Sequence, residues 1–218
     1  MRFIKLITKN HNKTNRNYFK RMTKNKINCI KEAIKFSKNY WDGNRKFGYG
    51  GYYYDGRWKG IAKKIIKKYN LSNSSKVIDL GCGKGFLMKD IKDQLPKIKI
   101  IGLDISSYAI KNRIDKNIEI IKYDMRKKLP FKNKSFDLAL SINCLHNYNL
   151  IELNIALDEI IRISKKQYLS TESYRNFKEM INLQCWALTC KSFFSKEEWE
   201  YLLNKKKYMG DFELIYFK

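Results

Sequence analysis

The stretch KVIDLGCGKGFL, residues 76–87, is the part of this 218-residue chain from which its architecture is inferred. An apolar run with one acid, Asp79, leads into three glycines within five positions, Gly81, Gly83 and Gly85. Glycine lets a backbone turn sharply and approach a ligand closely, because it has no side chain in the way. In an open sheet of alternating strands and helices, ligands bind where strands turn into helices. The stretch therefore predicts a buried strand, a ligand-binding turn and a helix.

Short apolar runs recur about every 20 residues after this stretch. They are IKIIGLD at 98–104, IEIIKYD at 118–124 and FDLALSIN at 136–143, with helical patterns between them. Such runs are typical of strands buried on both faces of a parallel sheet, and alternation with helices indicates crossover connections. We therefore predict an α/β fold with a Rossmann-like, doubly wound, mostly parallel sheet. A fifth strand is expected near 167–171, and DFELIYF at 211–217 is expected to form an edge strand.

The chain is predicted to form one main domain with a helical N-terminal cap. Residues 1–50 are rich in Lys and Asn and carry a helical pattern at 26–38, which is typical of an arm or cap. Residues 51–218 would then form the main domain. Asp55 is expected to cap the helix that follows it, and the S-x-x-E pattern at Ser195 has the form of a capping box.

The charge balance is strongly basic, with 46 Lys and Arg against 21 Asp and Glu and a formal net charge of +25. Such a charge attracts nucleic acid. It also fits codon bias with a solvated surface, because Lys greatly outnumbers Arg, and Ile and Asn are plentiful. Both interpretations stay open, with codon bias favoured. The five cysteines have no CxxC spacing and only two histidines accompany them, so no metal site is predicted.

We expect a cytoplasmic protein. No segment has the length of a transmembrane span, and the N-terminus lacks the apolar core and the cleavage site of a signal peptide. The odd, scattered set of cysteines is typical of reduced thiols.

Two common nucleotide-binding patterns do not fit the glycine-rich turn. A P-loop needs Ser or Thr after its lysine, whereas Lys84 is followed by Gly85. A dinucleotide fold prefers G-x-G-x-x-G, whereas this turn has G-x-G-x-G. Asp79, two residues before Gly81, would repel a pyrophosphate but suits a ligand that ends in an ammonium group. The turn therefore favours a ligand with a cationic end.

From residue 57 to residue 165, the chain resembles the class I S-adenosylmethionine-dependent methyltransferases in several ordered motifs. The resemblance implies the class I methyltransferase fold, S-adenosylmethionine as cofactor and methyl transfer as the reaction. VIDLGCGKG resembles the family's first motif. The cofactor contacts that it implies are Asp79, Gly81, Cys82, Gly83 and Gly85.

The next two strands carry further motifs of the same resemblance. GLDIS implies that Asp104 accepts hydrogen bonds from both ribose hydroxyls, with Ile105 beside it. YDM implies that Asp124 binds the adenine amine and that Met125 packs on the ring. Each residue also has an ordinary alternative, such as a helix cap or a loop acid. Acids at the ends of consecutive strands favour one common ligand.

The fourth strand and its loop, SFDLALSINCLHNY, resemble the part of the family that faces the methyl group, which implies this position for Asn143 and His146. An imidazole suits a general base near neutral pH, so His146 is the candidate catalytic residue; a structural or substrate-binding histidine is the alternative. Arg57 precedes Asp79 by about 20 residues. Some members of the family pair an arginine there with the cofactor's carboxylate, and a surface arginine is the alternative.

The aromatic stretch YGGYYYDGRW at 49–58 comes just before the first strand of the predicted sheet. Tyr52, Tyr53 and Tyr54 are predicted to close over the cofactor as a glycine-hinged lid and to contact the substrate. Stacking on unpaired nucleotide bases and simple packing of the arm onto the domain are the alternatives.

We expect the methyl acceptor to be an O or N atom of a small molecule, as in the bacterial methyltransferases of cell-surface sugar pathways that the chain resembles. The proline-containing motif of enzymes that methylate base amines is absent from the fourth strand, and no cysteine has the context used to attack cytosine in RNA. RNA is the alternative acceptor. A cofactor-binding regulatory or polyamine-forming protein is a third interpretation. The sequence predicts no oligomeric state.

Overall fold

The computed structural model of the protein describes residues 1–8, 16–23 and 25–218. Over these ranges the chain forms one sheet of seven strands, all parallel, and the predicted α/β fold is confirmed. The strands are β1 (Arg2–Phe3), β2 (Lys76–Leu80), β3 (Lys99–Asp104), β4 (Glu119–Lys122), β5 (Phe136–Ile142), β6 (Ser164–Ser173) and β7 (Asp211–Tyr216). Their order across the sheet is β1-β7-β6-β5-β2-β3-β4.

Helices cover both faces of this sheet. They are α1 (Tyr18–Thr23), α2 (Lys26–Ala33), α3 (Lys38–Trp41), α4 (Lys59–Tyr69), α5 (Phe86–Gln94), α6 (Ser107–Lys111), α7 (Leu150–Ile163), α8 (Phe177–Trp186) and α9 (Lys196–Lys205), with 3-10 turns at Arg45–Phe47 and Leu145–Asn147. Apolar side chains of α7 and α9 pack on one face of the sheet, and those of α4, α5 and α8 pack on the other. Successive strand residues point to opposite faces, so β2 sends Ile78 into the first layer and Val77 into the second.

The prediction of an edge strand at 211–217 is wrong, because β7 pairs with β6 on one side and with β1 on the other. Two buried acids of β7 hold the N-terminal segment against it. Asp211 accepts a hydrogen bond from Arg2 at 2.9 Å, and Glu213 accepts from the backbone N–H groups of residues 6–8. A strand of two residues has no sequence period, so β1 gives no local signal.

The helix boundaries follow the predicted pattern with two corrections. Helix α4 begins after Trp58, and Asp55 accepts instead from the backbone N–H of Arg57 at 3.1 Å within the preceding turn. The helical pattern at 26–38 is interrupted at Phe36, whose φ is +46°, so α2 and α3 are separate. The capping box at Ser195 is confirmed, since its side chain and that of Glu198 each accept from the other residue's backbone N–H. Within the described ranges, no helix is both long and apolar enough to cross a membrane. The division of the chain at residue 50 and the cytoplasmic location stay predictions.

Candidate active site

The carboxyl ends of the parallel strands meet at one edge of the sheet and carry two cavities. The glycine-turn cavity, of about 290 Å³, lies against Gly81 and Gly83 in the turn after β2. The arginine cavity, of about 480 Å³, lies beside it and is lined by four arginines. Those arginines are Arg16, Arg21, Arg45 and Arg57. Both cavities are lined by Tyr40, Tyr49, Tyr52, Trp58, Asn143 and Thr189, so they share a wall.

The glycine turn needs residues without side chains at two positions. Gly81 has a φ of +80° and Gly83 a φ of +58°, the left-handed region that glycine adopts without strain. A Cβ on Gly81 would lie 2.5 Å from Sγ of Cys144, and one on Gly83 would lie 2.9 Å from the ring of Trp41. Cys82, between them, also lines the glycine-turn cavity, whereas Gly85 precedes the first residue of α5 and does not.

Asp104, the last residue of β3, holds this turn and also lines the glycine-turn cavity, together with Ile105. Its carboxylate accepts from the backbone N–H of Gly83 at 2.7 Å and from that of Ser106 at 2.8 Å. Burial raises the pKa of Asp104, and these backbone hydrogen bonds oppose the rise. A carboxylate has about four acceptor positions, so Asp104 can accept from a further donor, such as a ligand hydroxyl.

Asp79 is buried on β2 and lines neither cavity. Among the residues that the structure describes, no hydrogen bond or ion pair reaches its side chain, and it is 4% exposed. Burial, followed by the negative charge of Asp104, raises the pKa of Asp79 to about 7. A nearby cation would stabilise the charged form of this carboxyl group. Asp79 is therefore suited to the cationic end of a ligand.

The region after β4 differs from the predicted adenine contact. Asp124 lines neither cavity and forms a close ion pair with Arg126, whose Nη2 lies 2.7 Å from its carboxylate. Arg126, Met125 and Tyr123 line the glycine-turn cavity instead. The sequence analysis missed Arg126, although an arginine two residues after the acid was a readable signal. The roles of Asp124 and Met125 in binding adenine stay predictions.

The cap is fastened to the glycine turn by residues that the sequence analysis did not select. The ring of Trp41 packs over Gly83, and its Nε1–H donates to Ser106 Oγ at 2.9 Å. Lys84, buried within the turn, donates to Asp42 at 2.7 Å and to the carbonyl of Tyr52 at 2.9 Å. Burial acts to raise the pKa of Asp42, but its hydrogen bonds, that from Lys84 foremost, bring it below the ordinary value.

The three predicted substrate tyrosines lie in different surroundings. Tyr52 lines both cavities and stacks on Phe86, with ring centroids 4.8 Å apart. Tyr53 is exposed and lines the arginine cavity, whereas Tyr54 lines neither cavity and donates to Asp90 on α5. The structure therefore brings two of the three to a cavity. A lid function for them stays a prediction.

Arg57, the predicted partner of the cofactor's carboxylate, lines the arginine cavity and not the glycine-turn cavity. Its guanidinium forms an ion pair with Asp55, at 2.6 Å. The cofactor role of Arg57 stays a prediction.

The candidate catalytic residue, His146, lies in the 3-10 turn after β5 and lines the arginine cavity. Its Nε2 lies 3.7 Å from the carboxylate of Glu172, near the end of β6. Asn143 lies in the wall shared by the two cavities, in a left-handed conformation with a φ of +52°. Its side chain accepts from Ser170 Oγ at 3.2 Å. Glu172 was missed, although an acid at the end of a predicted parallel strand was its signal.

Comparisons with known proteins agree with this geometry. Residues 77–167, from β2 into β6, match the family model of a methyltransferase domain. Residues 77–167 form a methyltransferase domain. The predicted family is thereby confirmed for these residues, and this family implies S-adenosylmethionine as the cofactor.

Several known proteins are similar in sequence to this chain. An uncharacterized protein of Methanocaldococcus jannaschii is 33% identical over 59% of this chain and 47% of its own length. A malonyl-[acyl-carrier protein] O-methyltransferase of Legionella pneumophila is 27% identical over 48% of this chain and 39% of its own length. A probable ribosomal RNA small subunit methyltransferase A of Methanococcus aeolicus is 32% identical over 39% of this chain and 27% of its own length. The chain thus spans less than half the length of these relatives.

Solved structures show the same fold as the methyltransferase domain. A chain from the Haloferax volcanii complex of the Trm112 methyltransferase activator matches 69% of this chain and 72% of its own, with a TM-score of 0.53 and 22% identity. At that identity the likeness concerns the fold alone.

The cysteines beside the glycine turn of the methyltransferase domain do not supply a nucleophile. Burial, followed by the charge of Asp104, raises the pKa of Cys144 to about 12, and burial also raises that of Cys82. Both therefore remain thiols near neutral pH, and the thiolate is the reactive form. In the described part of the chain, no group of His, Cys, Asp and Glu side chains is arranged to hold a metal ion.

Proposed function

We propose that the protein transfers the methyl group of S-adenosylmethionine to an O or N atom of a small molecule. The observation that carries this proposal is the shared wall of the two cavities, with Asn143 in it and His146 close by in the chain. A donor in the glycine-turn cavity and an acceptor in the arginine cavity would meet at this wall. Such an arrangement converts a bimolecular reaction into one between two held groups, an effect of up to about 7 to 11 kcal/mol.

The residues of the glycine-turn cavity fit the cofactor. Its ribose hydroxyls match the remaining lone pairs of Asp104. Asp79 lies outside the cavity, on β2 just before the turn, and its carboxyl group would attract the cationic end of the cofactor. Trp41 covers the turn, and its packing excludes water from this side. When bound, S-adenosylmethionine supplies an electrophilic methyl group on its sulfonium.

The acceptor side of the site can receive a proton. If the acceptor is a hydroxyl, it must lose its proton during transfer, and His146, which lines the arginine cavity, would accept it as a general base. The carboxylate of Glu172 lies 3.7 Å from Nε2, beyond hydrogen-bond distance but close enough to attract an imidazolium that formed there. If the acceptor is a neutral amine, holding it in line with the methyl group is the main contribution of the protein.

A small molecule suits the arginine cavity, since about 480 Å³ lies within the range of small-molecule sites, roughly 300 to 1,000 Å³. The net charge of +25 supports RNA as the alternative acceptor.

The test is to incubate the protein with S-adenosylmethionine labelled in its methyl group and a fractionated cell extract. Label in small metabolites supports the proposal, and transfer should depend little on salt. Label in RNA, with transfer that falls steeply as salt rises, supports the alternative. If the cofactor binds and no fraction gains label, the protein is a cofactor-binding protein without this activity.

A further inference from the structure

Three arginine side chains converge on one tryptophan in the wall of the arginine cavity. The guanidinium carbons of Arg16, Arg21 and Arg45 lie 5.4, 4.8 and 5.1 Å from the centroid of a Trp186 ring. All four residues line the cavity. The chain is rich in lysine but has few arginines, so this gathering concentrates the residue type that best recognises phosphate and carboxylate groups.

Arg21 and Arg45 have only neutral partners. Arg21 donates to the carbonyls of Trp186, at 3.3 Å, and of Arg45. Arg45 donates to the carbonyls of Gly48, at 2.6 Å, and Tyr49, at 3.0 Å. Neither forms a salt bridge with any residue of the described ranges, and the sequence has no Asp or Glu at 9–15 or at position 24.

The two charges are costly in this position. Burial, followed by the charge of Arg45, lowers the pKa of Arg21 to about 10. Burial also lowers the pKa of Arg45, and the charge of Arg16 adds to the effect. Arg21 is half-buried, whereas Arg45 is exposed at the rim of the cavity. Neighbouring cations of this kind are stabilised by an anion between them, because each pair of opposite charges offsets the repulsion between the two guanidinium groups.

The acids that line this cavity already have other positive neighbours. Asp55 is paired with Arg57, and Glu172 faces His146 and interacts with Arg16. The N–H groups of Arg21 and Arg45 that do not donate to backbone carbonyls can therefore bind a ligand.

We propose that Arg21 and Arg45 bind an anionic group, a phosphate or a carboxylate, of the methyl acceptor, with Trp186 as the floor of this anion site. The planar fork of an arginine accepts either group with two parallel hydrogen bonds. The assignment of the anion to the acceptor rests on the proposed function. The acceptor is then an acidic small molecule whose opposite end reaches the wall shared with the glycine-turn cavity.

The test is calorimetric titration of the full chain with sodium pyrophosphate in one arm and sodium malonate in the other, at physiological ionic strength. Binding of one probe, weakened at least tenfold in Arg21→Gln and in Arg45→Gln, supports the site, and the probe that binds tells phosphate from carboxylate. Arg21→Lys keeps the charge but loses the fork, so its affinity should be intermediate. Arg113→Gln is the matched control, because Arg113 also donates to backbone carbonyls, those of Ile110 and Lys116, away from both cavities.

Two results would overturn the anion site. The first is that neither probe binds the wild-type chain. The second is that the affinity is the same in all variants, because the anion would then bind to surface lysines. Displacement of the bound probe by a single-stranded oligonucleotide would overturn the small-molecule form in favour of RNA. A parallel titration with S-adenosylhomocysteine separates this inference from the proposed function. If the probe binds but the nucleoside does not, methyl transfer fails and the anion site stands; the reverse result removes the anion site alone.

Discussion

The Nε2 atom of His146 lies 3.7 Å from a carboxylate oxygen of Glu172. Both side chains line the arginine cavity. The other ring nitrogen, Nδ1, is buried and makes no hydrogen bond to any residue in the described part of the chain. If a hydroxyl acceptor donates its proton to the imidazole, the carboxylate of Glu172 is close enough to attract the resulting positive charge.

His146→Ala is therefore expected to lower turnover by about 10² to 10⁴, if the acceptor is a hydroxyl, while cofactor affinity stays unchanged. Glu172→Gln should give a smaller loss, because it keeps the size of the side chain and removes only its charge. Rates of label transfer into the purified acceptor measure both. Near-normal turnover of His146→Ala would exclude the base role.

The stability of the protein is expected to depend on pH through Asp79. Its pKa in the folded chain is raised to about 7, from 3.8 in a free side chain. A raised carboxyl pKa means that stability is lost as pH rises from about 4 through about 7. Asp79→Asn should remove this loss. The unfolding free energy of the variant minus that of wild type should therefore rise by up to about 4 kcal/mol between pH 4 and pH 8. Urea unfolding at several pH values measures it.

The matched control is Asp137→Asn. Asp137 is half-buried at the start of β5, and a hydrogen bond from Lys165 lowers its pKa. Its substitution should cost more stability near neutral pH than in acid, because a lowered carboxyl pKa means that stability is lost as pH falls, which is the opposite trend. A variant of Asp79 whose stability difference from wild type is the same at all pH values would contradict the buried, protonated state.

Cofactor binding is expected to release a proton below pH 7. A cation beside Asp79 favours its charged form, so the carboxyl group should ionise when S-adenosylmethionine binds. Affinity should therefore increase with pH up to about 7 and level off above it. Calorimetry in two buffers of different ionisation enthalpy measures the proton released, and Asp79→Asn should abolish it. A binding enthalpy that is identical in both buffers at pH 6 would refute the linkage.

The buried ion pair between Lys84 and Asp42 is expected to couple the cap to the glycine turn. Its atoms are 2.7 Å apart, and the two side chains are 6% and 13% exposed. Lys84→Met leaves Asp42 without its cation and should cost about 3 to 5 kcal/mol, whereas the double variant with Asp42→Leu should cost less than the sum of the single variants. Urea unfolding of the four proteins measures the coupling. Additive costs would mean that the pair does not join the two segments.

The strands and the glycine turn could be predicted because their signals are local. VIDLGCGKG and the runs after it carry the apolar pattern of buried parallel strands, and acids such as Asp104 stand where those strands end. Most of the cap could not be predicted. Trp41 packs over Gly83 and Lys84 pairs with Asp42, and the partners of each contact are about 40 residues apart in the chain. A single long-range contact of this kind leaves no periodic pattern in the sequence.

The arginine cavity shows the same limit more strongly. Arg16 and Arg21 lie just before and within α1, and Arg45 follows 24 residues after Arg21. The three side chains meet because each reaches Trp186 at the end of α8. In the sequence these arginines stand among many lysines, so the basic charge was interpreted as a property of the whole surface. The edge strand β1 was missed for a related reason, since its pairing depends on buried acids more than 200 residues away.

Calorimetric titration of the purified protein with S-adenosylhomocysteine tests most directly whether a nucleoside of this kind occupies the glycine-turn cavity. We predict saturable binding at a single site, weakened about tenfold or more in Asp104→Asn, because hydrogen bonds to a charged group contribute about 1.5 to 3 kcal/mol. Absence of heat with both S-adenosylhomocysteine and S-adenosylmethionine, together with tight binding of a nicotinamide or flavin nucleotide, would contradict the account.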